Sequence, residues 1–138
     1  MSWLHWALLS ALFAGLTAVL AKVGVKDIDS NLATAIRTTV VLVFAWTIAL
    51  VRSSTPLREV TSRTWLFLVL SGLATGSSWL CYFRALQLGE ASRVAPIDKL
   101  SVVVAVILAI VFLHEPLTWQ HWVGCSLIVS GTVVLAWV

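Results

Sequence analysis

The stretch YFRALQLGEASRVAPIDKLSVVVAVILAIVFLHEP, residues 82–116, joins two long apolar segments through a short polar turn. It places two adjacent charges, Asp98 and Lys99, inside the second apolar segment. If that segment is a membrane helix, a charged side chain at its centre costs roughly 2.5 to 3.5 kcal/mol on insertion scales. The pair therefore needs either a partner or a function.

The composition of the chain assigns it to a class of protein before any motif does. Of its 138 residues 60% are apolar, 11% are charged and eight are Trp, and the mean hydropathy is +1.00. These values lie far outside the range of soluble domains. The net charge of +3 does not indicate nucleic-acid binding, because the basic residues are spread along the chain. We therefore expect an all-α integral membrane protein that contacts the lipid bilayer and no nucleic acid.

Five apolar stretches come close to or exceed the length that crosses a hydrocarbon core of about 30 Å. The predicted spans are residues 3–21, 32–51, 65–86, 94–113 and 119–138, and Ser30 or Asn31 is expected to cap the second. The loops are short, so residues 1–138 are predicted to form one transmembrane domain. No enzyme site, cofactor or metal site is predicted, because no nucleophile–base pair, phosphate loop or metal-ligand spacing is found.

Glycines at helical spacing mark faces where another helix can approach closely. Gly72 and Gly76 are four residues apart in the third span, and Gly124 and Gly131 are seven apart in the fifth. Small residues at such positions let the backbones of membrane helices come together. We predict that these four glycines serve helix packing, without indicating a particular partner.

Asp98 and Lys99 are the first candidates for a solute or ion pathway. Consecutive side chains point about 100° apart on a helix, so the two are not expected to pair with each other. Pro96 lies in the first turn of the predicted span, where its missing N–H costs little. Asp98 is the candidate for proton coupling, since a carboxylate that alternates between apolar and basic surroundings can bind and release a proton. The alternative is a permanent bridge from Asp98 to Arg37 or Lys99.

Three further residues are candidates for the pathway. Arg37, a turn and a half into the second span, either extends to the near interface or faces the bundle interior, where it would hold Asp98 or an anionic substrate group. Trp79 and Tyr82 share one face of the third span and either line a pathway or belong to an interfacial aromatic belt. Lys99 would equally balance the carboxylate of an amino-acid-like solute.

The run ALQLGEASRVAPIDKLSVVVAVILAIVFLHEPLTWQHWVGCSLIVSGTVVL, residues 85–135, resembles the EamA-type domain of the drug/metabolite transporter superfamily. The shared features are an Ala-Leu pair closing the third helix, a small-residue turn into a Pro-containing fourth helix, a Glu after that helix and a Gly-rich fifth helix. They fall at Ala85 with Leu86, Ala91 to Pro96, Glu115, and Gly124 with Gly131. Glu115 is expected to fix its turn. One departure is His114, at a position where the family usually has Gly; it and His121 are interpreted as interfacial residues.

The five-helix length and the segment PIDKLS resemble the half-size bacterial and archaeal branch of that superfamily. The resemblance implies a multi-pass protein of the bacterial inner membrane, built as one half-repeat of a ten-helix fold. Full-length relatives resemble two five-helix repeats in opposite orientations, so a half-size chain is expected to form a homodimer, and an antiparallel one would copy the inverted repeat. Loop charges permit both orientations, with three basic residues on the N-terminal side against four on the other: Arg52, Arg58 and Arg63, against Lys22, Lys26, Arg84 and Arg93.

The leading functional hypothesis is a proton-coupled secondary transporter of small metabolites or organic solutes, working by alternating access. One alternative is a non-transporting membrane subunit that packs against a larger partner through its Ala and Gly stripes. Another is a multidrug cation exporter, which needs an unpaired acidic residue and is disfavoured if Asp98 is neutralised by Arg37 or Lys99.

Overall fold

The computed structural model of the chain describes residues 2–52, 57–116 and 118–137, and every regular element within these ranges is helical. Five segments are long and apolar enough to cross a membrane, which confirms the predicted all-α fold with five transmembrane helices. The predicted end of the fifth span at Val138 lies outside the described residues. The helices are α1 (Trp3–Gly24), α2 (Ser30–Arg52), α3 (Ser62–Leu88), α4 (Ala91–Asp98), α5 (Ser101–Leu113) and α6 (Trp119–Trp137), with a 3₁₀ turn at Leu57–Glu59.

The chain is divided into two compact units. The central unit is Val23–Gln87 and contains α2 and nearly all of α3. The terminal unit combines Met1–Lys22 with Leu88–Val138 and contains most of α1 with α4, α5 and α6. The assignment of residues 1–138 to a single domain stays a prediction.

The start of α2 is defined by Asp29. Its Oδ1 accepts hydrogen bonds from the N–H groups of Asn31 at 2.9 Å and Leu32 at 3.2 Å. An aspartate N-cap satisfies donors of the first turn that have no partner inside the helix. The prediction that Ser30 or Asn31 caps this helix was therefore wrong. The helix begins at Ser30, earlier than expected, so the cap moves with it.

Gln87 connects the end of α3 to the loop that precedes α2. Its side-chain N–H₂ group donates to the carbonyl oxygens of Val25 at 3.2 Å and Ile28 at 2.6 Å. Its Oε1 accepts a hydrogen bond from Arg84 at 3.0 Å. Leu86 and Val25 are 0% and 1% exposed. This end of the central unit is thus held by both hydrogen bonds and apolar burial.

In the terminal unit α6 packs against α4 and, less extensively, against α5. Thr132 of α6 is buried, at 6% exposure, and its hydroxyl donates to the carbonyl oxygen of Pro96 at 3.3 Å. Near the end of α1, Lys22 Nζ donates to the carbonyl oxygen of Gly89 at 2.8 Å. These two contacts connect α1 and α6 to the segment around α4.

Two helices of the terminal unit begin with the same pattern, Ser/Thr-Trp-X-His-Trp, at residues 2–6 and 118–122. Ser2 Oγ lies 2.7 Å from His5 Nδ1 at the start of α1. At the start of α6, His121 Nδ1 accepts a hydrogen bond from the Thr118 N–H at 3.1 Å and lies 2.8 Å from Thr118 Oγ1. The arrangement at α6 is one half of a capping box, in which the imidazole accepts from the Thr118 N–H as Glu or Gln usually does, while the His121 backbone N–H donates to the Thr118 carbonyl at 3.0 Å. His121 is therefore a helix-capping residue.

The turn after α5 passes through a left-handed residue. His114 has φ 53° and ψ 33°, and it is the one non-glycine residue with positive φ in the described ranges. That conformation costs a residue with a Cβ about 1–2 kcal/mol, whereas Gly adopts it readily. The backbone at His114 therefore has a conformation that suits glycine, the residue usual at this position in EamA-type domains. A role of the Glu115 side chain in this turn stays a prediction.

The four glycines assigned to helix packing have room beside them. A Cβ added at Gly72, Gly76, Gly124 or Gly131 would meet no heavy atom within 4 Å among the described residues. Close packing at these positions stays a prediction. Their faces have space for a further helix.

Candidate functional site

Arg37 of α2 lies against two aromatic rings of α3. Its Cζ is 4.4 Å from the ring centroid of Trp79 and 5.4 Å from that of Phe83. Both distances lie within the roughly 6 Å over which a cation is attracted to a ring face, an attraction worth about 2 kcal/mol when desolvated. Phe83 is 3% exposed, and Arg37 and Trp79 are half-buried. The rings therefore offset much of the cost of placing this charge in an apolar span.

The position of Trp79 bears on the two interpretations of Arg37. Arg37 is seven residues after the start of α2 at Ser30, which is about 10 Å along the helix. Trp79 is nine residues before the end of α3 at Leu88, about 13 Å from that end. Consecutive spans alternate in direction, so these two ends lie at the same side of the membrane. The guanidinium thus contacts a residue that lies at least as far from the membrane surface as Arg37 itself. This favours an Arg37 side chain that faces a neighbouring helix over one that extends to the interface.

Phe83 belongs to this cluster and was missed in the sequence. It lies four residues after Trp79, so both rings share one face of α3. The Tyr82 ring meets the Phe83 ring edge-on, with centroids 6.5 Å apart and an interplanar angle of 66°. The four-residue spacing of Trp79 and Phe83 could have indicated in the sequence that both rings belong to one site. Which α2 residue meets that face depends on the packing of the two helices.

The fourth span is interrupted at Lys99 and Leu100, directly after Asp98. A continuous helix over residues 94–113 was expected, but α4 ends at Asp98 and α5 begins at Ser101. The Lys99 N–H donates to the Pro96 carbonyl and the Leu100 N–H to that of Ile97, both at 3.0 Å. These bonds reach back three residues instead of four, which defines a 3₁₀ turn, and such a turn within a helix often marks a hinge.

Pro96 contributes to this interruption. The helix begins at Ala91, so Pro96 is its sixth residue and lies inside it, not in the first turn as predicted. The missing N–H of a proline removes the usual donor to the carbonyl four residues before it, and the ring crowds that carbonyl. The Pro96 carbonyl itself accepts hydrogen bonds from the Lys99 N–H at 3.0 Å and from the Thr132 hydroxyl at 3.3 Å. The turn is therefore held from α6.

Asp98 and Lys99 form an ion pair with each other. Lys99 Nζ lies 3.6 Å from Asp98 Oδ2, and the two side chains are 56% and 37% exposed. The prediction that they cannot pair was wrong. It considered only the directions of the Cα–Cβ bonds, whereas the long Lys99 side chain can fold back, and the backbone between them is not regular α-helix. Arg37 and Asp98 belong to different units, and a bridge between them stays a prediction.

The geometry thus places two charged groups in apolar spans, one on aromatic rings and one at a helix interruption. The EamA-like transporter family matches residues 1–137. A Sinorhizobium sp. protein named "Uncharacterized transporter in cobO 3'region" is 56% identical over 136 residues, covering 98% of this chain and 96% of that protein. The uncharacterized transporter YvbV of Bacillus subtilis (strain 168) is 38% identical over 66 residues, covering 48% of this chain and 21% of YvbV. No solved structure matches the chain significantly.

The family match extends over nearly the whole chain and confirms the resemblance, whose most specific motifs lie in residues 85–135. The Sinorhizobium relative is covered almost completely, which agrees with a half-size form. The five apolar helices agree with a multi-pass membrane protein. The chain therefore belongs to the EamA-like transporter family.

Proposed function

We propose that the chain is a proton-coupled secondary transporter that moves small metabolites or organic solutes across the bacterial inner membrane. It acts as a homodimer by alternating access and catalyses no chemical reaction. The interrupted fourth span, with Asp98 and Lys99 at the interruption, is the observation that carries the proposal. Broken helices and ionisable residues at membrane depth are tolerated where they line a cavity or a solute and ion pathway.

Asp98 is the proposed proton-binding group. Its partner is the next residue, on a turn whose hydrogen bonds reach back three residues. A small change of backbone dihedral angles in that turn is enough to move the carboxylate away from the ammonium group. Separation of the pair would leave the carboxylate available to a proton, and re-formation of the pair would exclude it. The turn would thereby couple proton binding to a change in the direction of α5.

Thr132 is the proposed positioning residue for this movement. Its buried hydroxyl binds the Pro96 carbonyl, so the end of α4 is attached to α6. A change in helix direction would then occur in the residues after Asp98, that is, in α5. A turn that is attached to α6 on one side and less extensively packed on the other would convert a local event into a movement of the longer segment.

The homodimer would complete the pathway. A transporter of two inverted repeats encloses its solute between the repeats, and a half-size chain obtains the second repeat from another copy. The space beside Gly72, Gly76, Gly124 and Gly131 is suited to helices of that copy. Trp79, Tyr82 and Arg37 are the proposed pathway residues of the central unit.

The test compares intracellular and extracellular metabolites in cells that express the wild type or Asp98→Asn at equal membrane levels. We expect at least one solute to redistribute with the wild type and to remain at background with Asp98→Asn. The matched control is Glu90→Gln, since Glu90 also pairs with a nearby basic residue, Arg93 at 3.5 Å, but lies in the turn before the span. Equal redistribution with Asp98→Asn would show that Asp98 is structural. No redistribution with the wild type would contradict transport and favour the membrane-subunit alternative.

The multidrug cation exporter is less well supported. Such a site needs an acidic residue whose charge is available to the cation, and Asp98 is balanced by Lys99 at 3.6 Å.

A further inference from the structure

The charge of Arg37 has no counter-ion in the helices that hold it. Neither α2 nor α3 contains an Asp or Glu. Within the central unit, Asp29 is engaged as the N-cap of α2. In the described part of this unit Arg37 makes no hydrogen bond or ion pair; it contacts the rings of Trp79 and Phe83 and interacts electrostatically with the Tyr82 side chain. Among the described residues of this unit, Arg37 is therefore a positive charge in an apolar span without an ion-pair partner.

The rings contact the guanidinium in a way that preserves its binding capacity. A ring that lies under Cζ, as Trp79 does at 4.4 Å, attracts the cation through its π face. The N–H donors of a guanidinium lie in the guanidinium plane and point away from its centre. The two cation–π contacts hold the group in place, and among the described residues of the unit none of its N–H donors is hydrogen-bonded. A held, planar fork of donors is the arrangement that binds an oxyanion through two parallel hydrogen bonds.

The threonine hydroxyls beside Arg37 are hydrogen-bonded within α2, and among the described residues neither Thr34 nor Thr38 is bonded to the guanidinium. Thr34 Oγ1 donates to the carbonyl of Ser30 at 2.8 Å, and Thr38 Oγ1 donates to that of Thr34 at 2.7 Å. Both hydroxyl hydrogens are thus used within α2. Arg37 is the charged donor of this face, and its single charge matches a monoanion better than a phosphate dianion.

We propose that Arg37, held on Trp79 and Phe83, binds the carboxylate of a small organic monoanion. This inference rests on the proposed function and names its substrate class. The planar carboxylate would lie in the plane of the guanidinium and accept two N–H donors. Trp79 and Phe83 are positioning residues that fix the orientation of the guanidinium.

The test is direct binding to the purified full-length chain in lipid nanodiscs, followed by tryptophan fluorescence and thermal stability. The probes are sodium pyruvate, sodium benzoate and sodium N-acetyl-L-leucinate, with benzamide and N-acetyl-L-leucinamide as uncharged counterparts. We expect at least one carboxylate to bind the wild type about tenfold or more tightly than its amide, as charge-assisted hydrogen bonds predict.

The variants separate charge from geometry. Arg37→Gln removes the charge and should reduce carboxylate binding to the level of the amide. Arg37→Lys keeps the charge but loses the planar set of donors, so its carboxylate affinity should fall between those of the wild type and Arg37→Gln. Partial binding by this variant would also show that a substitution at this position does not prevent folding. The matched control is Arg63→Gln, because Arg63 lies 5.9 Å from the Phe67 ring on the same helix, and that ring is 59% exposed.

Each outcome decides the inference. Equal binding of carboxylates and amides, unchanged binding by Arg37→Gln, or no binding of any probe would overturn it. So would a charge exchange, Arg37→Asp with Asp98→Arg, that restores transport, because Arg37 would then be a structural partner of Asp98. Failure of the proposed function looks different: the carboxylate binds through Arg37 but no solute moves. Transport confined to neutral or cationic solutes would refute the carboxylate site alone.

Discussion

Arg37 and the Asp98–Lys99 pair are charges in apolar spans that are accommodated in opposite ways. Arg37 sits on a continuous helix and is stabilised by rings of another helix, 4.4 and 5.4 Å away. Asp98 and Lys99 are neighbours in sequence, pair at 3.6 Å and occupy an interruption between two helices. To move Arg37 off its rings, its side chain must give up contacts with another helix, by changing rotamer or by separation of α2 from α3. To separate Asp98 from Lys99, one turn must rearrange.

This difference suggests a division of roles. Groups that are stabilised by distant partners are held in a set geometry, which suits recognition of a solute. Groups that are stabilised locally at an irregular turn can exchange between two arrangements, which suits coupling. The central unit would then recognise the solute, and the terminal unit would respond to protons.

The largest expected change in stability comes from Trp79→Ala. The substitution removes the ring nearest to Arg37 and part of the packing between α2 and α3, so we expect unfolding to become easier by roughly 3 kcal/mol. Equilibrium unfolding in mixed micelles measures it. Trp46→Ala, on α2 and 44% exposed, should cost much less. Similar costs for both would show that the rings do not stabilise the Arg37 charge.

Thr132→Val should have an intermediate effect. The substitution keeps the shape of the side chain and removes the hydrogen bond to Pro96, so a loss of about 1 kcal/mol is expected. The dependence of transport on the pH gradient should weaken as well, because α4 is no longer attached at the turn. Thr75→Val is the matched control, since the Thr75 hydroxyl donates within its own helix to the Ser71 carbonyl at 2.9 Å. An unchanged pH dependence with reduced stability would limit Thr132 to a structural role.

The smallest change in stability is expected for Lys99→Ala. An exposed ion pair contributes about 0.2–1 kcal/mol, so the fold should hardly change while proton coupling is altered. The same unfolding measurement, combined with transport in proteoliposomes at several pH gradients, checks both parts. A large loss of stability would show that the pair is a structural element, and the contrast with Arg37 would disappear.

The five spans could be predicted because each is a long apolar run, and the family could be predicted because its motifs occur in a short, specific segment. The interruption at Lys99 and Leu100 could not. It depends on where α4 begins, and a start three residues earlier moves Pro96 from the first turn into the helix interior. The start of α2 was misplaced for a related reason: Asp29, Ser30 and Asn31 are adjacent and each of them can cap a helix.

The candidate site was predicted only in part. Arg37, Trp79 and Asp98 stand out because charged and large aromatic residues are conspicuous in apolar spans, but their contacts depend on how the helices pack. Phe83 did not stand out among other apolar residues. His121 was not recognised as a cap because capping boxes usually contain Glu or Gln.

The Ser/Thr-Trp-X-His-Trp starts of α1 and α6 have a consequence for the response of the protein to bilayer thickness. A start flanked by indole rings, which at α6 is also capped by the His121 side chain, holds its level at the lipid headgroups. When spans are longer than the hydrocarbon is thick, helices adapt by tilting or kinking. The fourth span already has a place to bend, at Lys99 and Leu100. Mismatch between protein and bilayer should therefore be taken up at the turn beside Asp98. Acyl-chain length would then act on the same turn that is proposed to respond to protons.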